Sequence, residues 1–168
     1  MINQNLQQSP KTMLKTIPLI YLGLLGGQVL FAITALAITP SGKFSINTPN
    51  DPYLIAVPIM AIGSFIASMM LHRQLIATAV SKPTVQQKIV GYQTAMIVRL
   101  ALLEGASLFG IVVYIVTTNL LYLGISGVLI AFFITLRPTR DKIETDLNLD
   151  YQDKADLDSD GISNEQKY

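Results

Sequence analysis

The sequence predicts an all-α, polytopic membrane protein: a bundle of four transmembrane helices followed by an acidic C-terminal tail. Three observations lead to this prediction. About half of the 168 residues are apolar (51%), and only 14% are charged. The apolar residues form four long runs, and about 20 apolar residues suffice to cross a bilayer. The Lys and Arg side chains gather near the ends of these runs, as membrane insertion favours.

The first apolar run predicts a spanning helix over residues 14–38, after a polar N-terminal tail over residues 1–13. Its apolar length exceeds that of a signal-peptide core, and three more runs follow, so we expect the helix to be retained. Small residues let helix backbones approach closely. Three glycines beside Gln28 therefore predict a close helix contact: Gly23, Gly26 and Gly27.

The second run predicts a helix over residues 52–75, after a loop rich in Pro, Gly, Ser and Asn. Ser64 and Ser68 give this helix a small, polar face on which another helix can pack. His72 and Arg73 close the run, and we interpret them as anchors at the membrane interface.

The third and fourth runs predict an antiparallel helical hairpin. The third helix is expected over residues 84–118, because Thr84 begins a segment with the spacing of a capping box. It would extend beyond the bilayer before entering it near Tyr92. A very short turn separates it from the fourth helix, which is expected over residues 120–136. The four helices are predicted to form one transmembrane domain over residues 14–137.

The positive charges predict the orientation of the bundle. Eight lie near one end of the helices, and only Lys43 lies near the other. Because cytoplasmic loops carry the excess of Lys and Arg, both chain termini are predicted to be cytoplasmic. The eight residues are Lys11, Lys15, Arg73, Lys82, Lys88, Arg137, Arg140 and Lys142.

Arg99 and Glu104 place a guanidinium and a carboxylate inside the third apolar run, and ionisable residues at membrane depth are candidate functional sites. At about 1.5 Å per residue, Arg99 lies about 10 Å beyond Tyr92 and Glu104 about 18 Å beyond it. Arg99 can therefore reach the interface, whereas Glu104 must be protonated, paired or hydrated inside the bundle. The two side chains point about 140° apart, so each should face another helix or a water molecule.

Small residues at four-residue spacing surround Glu104 and predict that this face is buried against protein: Ala101 with Gly105, and Ala106 with Gly110. Two interpretations stay open. In the first, Glu104 and Arg99 are structural groups bonded across the bundle to Gln28, Ser64, Ser68 or a tyrosine. In the second, Glu104 binds a proton or an ion.

Residues 138–168 are predicted to form an acidic cytoplasmic tail. Nine of the eleven carboxylates lie there, and acidic blocks are usually solvated. Ile143 and Leu147 are four residues apart, which favours a short amphipathic turn over residues 139–149. The remainder is expected to be disordered.

One segment of this tail matches the first part of a calcium-binding loop, with oxygen ligands at positions 1, 3, 5 and 9 and glycine at position 6. It is similar to the DxDxDG loops of EF-hand and thrombospondin type-3 modules. Lys167 stands where a bidentate acid is needed, so the segment predicts at most a weak, incomplete calcium site. Its ligands would be Asp156, Asp158, Asp160 and Asn164.

Leu100 to Val112 (LALLEGASLFGIV) resembles the carboxylate-bearing helix of the rotary-ATPase proteolipid (c-subunit) family, where an L-x-E-A-x-x-x-Y-G pattern surrounds the ion-binding glutamate. The resemblance implies that Glu104 carries an ion. The chain lacks the glycine-rich partner helix of that family. Its carboxylate also lies on the third helix rather than on the second or fourth.

Over its whole length, the chain resembles a family of small four-helix bacterial inner-membrane proteins of unknown function. The residues that carry the resemblance are RLALLEG in the third helix, TNLLYL at the turn and RPTRDKI after the fourth helix. This resemblance implies the topology and the bacterial cytoplasmic (inner) membrane, and it implies no activity.

The absence of cysteine excludes thiolate catalysis and zinc–thiolate sites, and a single histidine excludes a His-rich metal centre. We expect no enzyme, no cofactor and no nucleic-acid partner, because the sequence has no nucleophile–base pair, phosphate loop or basic patch. The leading hypothesis is a non-catalytic structural or accessory subunit, in contact with the lipid bilayer and with its own copies or other membrane subunits. The alternatives are proton or ion translocation through Glu104 and weak calcium binding by the tail.

Overall fold

A computed structural model describes residues 10–46 and 50–159. The all-α prediction is confirmed, because these residues form six helices and no strand, with one isolated backbone bridge between Lys43 and Asn119. The helices are α1 (Pro10–Ile38), α2 (Tyr53–Val80), α3 (Val85–Thr117), α4 (Leu120–Thr135), α5 (Arg140–Asp146) and α6 (Tyr151–Ser159).

Three of these helices, α1, α2 and α3, are long and apolar enough to cross a membrane. Helix α4 has 16 residues, which is about 24 Å of helix, and the chain bends by 83° between α4 and α5. Pro138 lies at this bend, where a proline disfavours helical backbone in the residue before it. Counting α4 and α5 as one bent span gives four candidate spans.

Helix α3 is the centre of the bundle. It packs against α2, α4 and α1, and α4 also contacts both α1 and α2. In the part of the chain that the structure describes, α1 and α2 have little mutual packing. Three helices therefore cover α3 on three sides, and the side between α1 and α2 is the least covered.

The hairpin of α2 and α3 corrects the predicted end of the second helix. Helix α2 continues to Val80 instead of ending at residue 75. The additional turn buries Ala79 against α3, where a Cβ atom at Gly91 would lie 2.6 Å from the Ala79 Cβ. The two backbones can approach this closely only because residue 91 is a glycine. This tertiary contact extends the helix beyond the apolar run.

Side-chain caps begin α3 and α4. The Thr84 Oγ1 accepts a hydrogen bond of 3.3 Å from the Gln87 N–H, which confirms the helix start predicted from the capping-box spacing. The Asn119 Oδ1 accepts the Leu121 N–H at 3.1 Å and caps α4. Between the two helices, Thr118 has a φ of 56°, the left-handed conformation that ends many helices.

The connection from α1 to α2 is bonded to the turn between α3 and α4. The Asn119 Nδ2 donates to the Ser45 carbonyl at 2.7 Å, and its Oδ1 accepts the Ser45 N–H at 3.2 Å. The Lys43 N–H donates to the Thr118 carbonyl at 2.9 Å, and the Lys43 carbonyl accepts the Leu120 N–H at 3.0 Å. These bonds hold the connection between α1 and α2 against the turn between α3 and α4 at this end of the bundle.

Helix α5 confirms the short amphipathic turn predicted over residues 139–149, whereas α6 corrects the expectation that the described residues after it are disordered. Ile143, Leu147 and Leu149 are buried in the same core cluster as Ile89 of α3. Their apolar side chains therefore hold the segment after α4 against the bundle. Helix α6 is fastened by an ion pair of 2.6 Å between the Lys88 Nζ of α3 and the Asp153 Oδ2.

Candidate functional site

Helix α3 carries both ionisable residues that the sequence analysis singles out. Counted back from Thr117 at about 1.5 Å per residue, Glu104 lies about 20 Å along the helix and Arg99 about 27 Å. The described side chains form no ion pair between them. As expected from their spacing of about 140°, the two residues have different neighbours.

Arg99 lies beside α2 and α5. Its half-buried guanidinium is within electrostatic range of Asp146, the last residue of α5, and of Tyr92, two turns away on α3. His72 of α2 is within electrostatic range of Arg99, and its ring lies close to the backbone of Ala95. We call His72, Tyr92, Arg99 and Asp146 the arginine cluster.

Two nitrogen atoms of the arginine cluster are buried without a hydrogen-bond partner among the described residues: the Arg99 Nε and the His72 Nδ1. Buried polar atoms of this kind are ordinarily satisfied by ordered water. The cluster thus places a buried cation, a nearby carboxylate and two unsatisfied nitrogens at one end of the bundle. Helix α2 continues past His72, whose ring lies against α3. Its role as an anchor at the membrane interface stays a prediction.

Asp146 is the last residue of α5, and Glu144 of the same helix is held by two cations. The Glu144 Oε1 accepts a hydrogen bond of 2.7 Å from the Arg140 Nε, and the Glu144 Oε2 lies 3.2 Å from the Lys154 Nζ. The hydrogen bond from Arg140 is the main reason that the pKa of Glu144 lies below its usual value, and burial partly opposes it.

Glu104 has a different environment. Its side chain is half-buried and has no hydrogen bond or ion pair with any described residue. Its backbone carbonyl accepts the Ser107 Oγ at 3.1 Å. The carboxyl group therefore lies in an apolar setting with no partner among the described residues, which is costly for an ionised carboxylate.

The polar contact nearest to Glu104 along α3 joins that helix to α1. The Ser107 Oγ donates a hydrogen bond of 2.6 Å to the Gln28 Oε1, and both side chains are fully buried. The Gln28 Nε2 is buried without a partner in the described chain. The structure thus brings Gln28 beside the helical turn of Glu104, although it bonds Ser107 and not Glu104.

The two predicted serines of α2 are not bonded to Glu104 or Arg99. Ser68 is fully buried and donates a hydrogen bond of 2.8 Å to the Phe65 carbonyl of its own helix. Ser64 is half-buried, one helical turn away on α2. Both serines face the bundle, but neither takes part in a polar contact with Glu104 or Arg99.

The small residues around Glu104 divide into two faces. Ala106 and Gly110 are buried against α4, where a Cβ atom at Gly110 would overlap the Ser126 Oγ. Ala101 and Gly105 are exposed, and nothing lies within 4 Å of a Cβ placed at Gly105. The prediction of a buried face is therefore wrong for this second pair.

The glycines of α1 also differ from expectation. A Cβ atom placed at any of them would have nothing within 4 Å, so they make no close helix contact within the described chain. The close contact of α1 with α3 is made by Gln28 instead. These glycines are Gly23, Gly26 and Gly27.

The calcium-loop segment is only partly described. Asp156 and Asp158 lie within α6, whereas Asp160 and Asn164 lie outside the described residues. Residues 10–46 and 50–159 contain no group of three or more His, Asp or Glu side chains that could hold a metal ion. Weak calcium binding stays a prediction.

Ser107, Tyr92 and Asp146 are members of these polar contacts that the sequence analysis did not identify. Tyr92 is seven residues from Arg99, a spacing that places both on one helix face and could have indicated the pair. Asp146 is 47 positions from Arg99 in the chain, so no local pattern links them.

No protein-family model matches the chain, and no curated protein or solved structure matches it. The fold and the side-chain geometry are consequently the basis on which a function can be proposed.

Proposed function

We propose that the chain is a non-catalytic integral membrane protein that serves as a structural or accessory subunit of a membrane assembly. The observation that carries this proposal is the distribution of large apolar side chains on the outside of the helices. A water-soluble monomer rarely exposes apolar patches of this extent. Examples on α1 and α2 are Leu19 (71% exposed), Leu30 (67%), Ile55 (68%) and Ile59 (64%).

The side chains inside the bundle also indicate a membrane environment. Fully buried positions include the polar side chains of Gln28, Ser68, Ser107 and Ser126, while the outward positions are aliphatic. In membrane bundles, helices associate through small and polar residues, because lipid is as apolar as a leucine side chain. We propose four spans, with α4 and the bend to α5 forming the last of them.

For the orientation, we propose that both termini lie in the cytoplasm of a bacterium and that the protein resides in the inner membrane. This rests on the eight Lys and Arg residues near one end against Lys43 at the other. The short loop that contains Lys43 would then face the periplasm, and α5 and α6 would face the cytoplasm.

Single-cysteine labelling tests this topology cleanly, because the chain has no cysteine of its own. Ser41→Cys lies in the loop after α1, Ser81→Cys in the connection after α2, and Tyr151→Cys at an exposed position of α6. A membrane-impermeant maleimide applied to spheroplasts should label only Ser41→Cys, and all three should react after the inner membrane is opened. Labelling of Ser41→Cys and Tyr151→Cys from one side would contradict the proposed topology.

Glu104 favours a second candidate function, proton or ion translocation. Its carboxyl group is half-buried and unpartnered, and the unpartnered Gln28 Nε2 lies on the adjacent helix. Reconstitution of the purified chain into liposomes that hold a pH-sensitive or sodium-sensitive dye tests this function. Translocation requires a flux that Glu104→Gln abolishes while the variant remains folded. A flux equal to that of empty liposomes rejects this candidate and leaves the first.

A further inference from the structure

The uncovered side of α3 forms a continuous apolar surface, which we call the open face: Ile97, Ala101, Gly105, Val112 and Val116. Ile97 is 38% exposed, Val112 45% and Val116 67%, although α3 is the central helix of the bundle. Ala101 and Gly105 are exposed at the middle of this surface. A helix that is covered on its other sides thus keeps exposed apolar side chains along one face.

The open face is the floor of a slot between α1 and α2. Helix α1 joins α3 at Ser107, and α2 joins it at Gly91. Seen down α3, Gly105 lies about 160° from Ser107 and about 40° from Gly91. Since α1 and α2 have little mutual packing in the described chain, α3 is left uncovered on the side between them. This gap spans about 200° around α3, so a further helix can pack there.

Glu104 lies at the border of this slot. It is about 60° around α3 from Ser107 on the side of α1, and about 60° from Ala101 on the side of the open face. Its carboxyl group has no partner in the described chain. Small residues at positions 101 and 105 let an incoming backbone approach closely, which would bring a side chain of that helix to the carboxylate.

Charge complementarity defines the occupant. Acyl chains of lipid offer no hydrogen-bond donor to a carboxylate. A second copy that packs its own open face around a two-fold axis would bring another Glu104 to the same place, and like charges repel. A carboxylate in an apolar slot is stabilised when a cationic donor pairs with it.

We propose that the open face of α3 is the docking site for one transmembrane helix of a different protein, and that this helix carries an Arg, Lys or His that pairs with Glu104. The proposal rests on the proposed accessory function and adds the interface and the chemistry of the partner to it.

The test is site-specific photocrosslinking in intact cells, with a photoreactive amino acid in place of Ala101. We expect one adduct, whose crosslinked peptide maps to a transmembrane helix with a cationic residue within about one turn of the depth of Glu104. The adduct should fall about tenfold in Glu104→Ala and in Gly105→Leu. It should persist in Gly127→Leu, a matched control, because a Cβ at either glycine has nothing within 4 Å.

The thermal unfolding of each purified variant separates lost docking from lost folding, and Glu104→Gln provides a second, milder change. An adduct to a second copy of this chain, an adduct that is insensitive to Glu104→Ala, or crosslinks to lipid alone would each overturn the proposal. These results would leave the membrane topology intact. A failure of the cysteine-labelling pattern would instead reject the proposed membrane topology.

Discussion

Ser107 on α3 and Gln28 on α1 form a hydrogen bond of 2.6 Å between two fully buried side chains. This bond attaches α1 to the central helix near the turn that holds Glu104. The serine also donates to the Glu104 carbonyl, at 3.1 Å, so its hydroxyl is shared between the helix backbone and the neighbouring helix.

Ser107→Ala should destabilise the bundle by about 1 kcal/mol, because it leaves the Gln28 amide oxygen buried without its donor. The measurement is the free energy of unfolding in a mixed detergent titration, followed by circular dichroism. Ser64→Ala is the matched control, since Ser64 is only half-buried. Equal losses in the two variants would show that the interhelical bond contributes nothing specific.

Gly91→Ala should destabilise the hairpin of α2 and α3 by about 1–3 kcal/mol, because the new Cβ overlaps Ala79 and the core must move apart. In the structure, the Cβ would lie 2.6 Å from the Ala79 Cβ and 3.1 Å from its Cα.

Gly105→Ala is the opposite case on the same helix. Nothing lies within 4 Å of its Cβ, and replacing a helical glycine by alanine stabilises by up to about 1 kcal/mol. The pair of variants should therefore shift the unfolding midpoint in opposite directions. A loss of stability in Gly105→Ala would argue that the isolated chain already covers its open face.

Asp146→Asn should lower the stability of the wild-type chain by about 0.5–1 kcal/mol, because it removes the carboxylate in electrostatic range of the buried Arg99. In an Arg99→Leu background, the same change should have almost no effect. A double-mutant cycle measures this coupling. Asp141→Asn, at the exposed start of α5, is the control, and its effect should be the same in both backgrounds. A coupling energy of zero would show that the charge of Arg99 does not help to hold α5 in place.

The pH dependence of α5 docking should follow Glu144. Its pKa in the folded chain is lowered, chiefly by the hydrogen bond from Arg140, so its contribution is complete above the unfolded pKa of about 4.3. The contribution is lost as the pH falls through the lower, folded value.

Hydrogen exchange of the α5 amides measures this, and protection should hold at pH 6 and decline below about pH 4. Glu144→Gln should show weaker protection at pH 6 and a smaller change on acidification. An unchanged acid response in that variant would assign the transition to another carboxylate.

Individual residues show which features of the fold could be predicted from the sequence and which could not. Thr84 marked the start of α3 because a cap acts through neighbouring backbone atoms, and the local pattern contains it. Ala79 lengthened α2 through a contact with Gly91, which no local pattern contains. For the same reason, the small residues of α3 were predictable as a contact surface, but their division into a face against α4 and an open face was not.

In the candidate site, too, some features could be predicted from the sequence and others could not. Arg99 and Glu104 could be selected from the sequence, because charges are rare in an apolar run. Their surroundings could not, since Asp146 reaches Arg99 only after the bend at the end of α4 and the burial of Ile143. An acidic composition indicated a solvated tail, whereas a few apolar side chains decided that this segment packs on the bundle.

The short length of α4 has a consequence for the proposed membrane environment. Its 16 residues span about 24 Å, against a hydrocarbon core of about 30 Å. In a bilayer, such a mismatch is met by local thinning of the membrane beside the short helix. Helix α4 and the open face lie on opposite sides of α3, so the thinning would be one-sided. Bilayers of shorter acyl chains should therefore suit this protein better than thick ones, and neighbouring proteins should sense a membrane of unequal thickness around it.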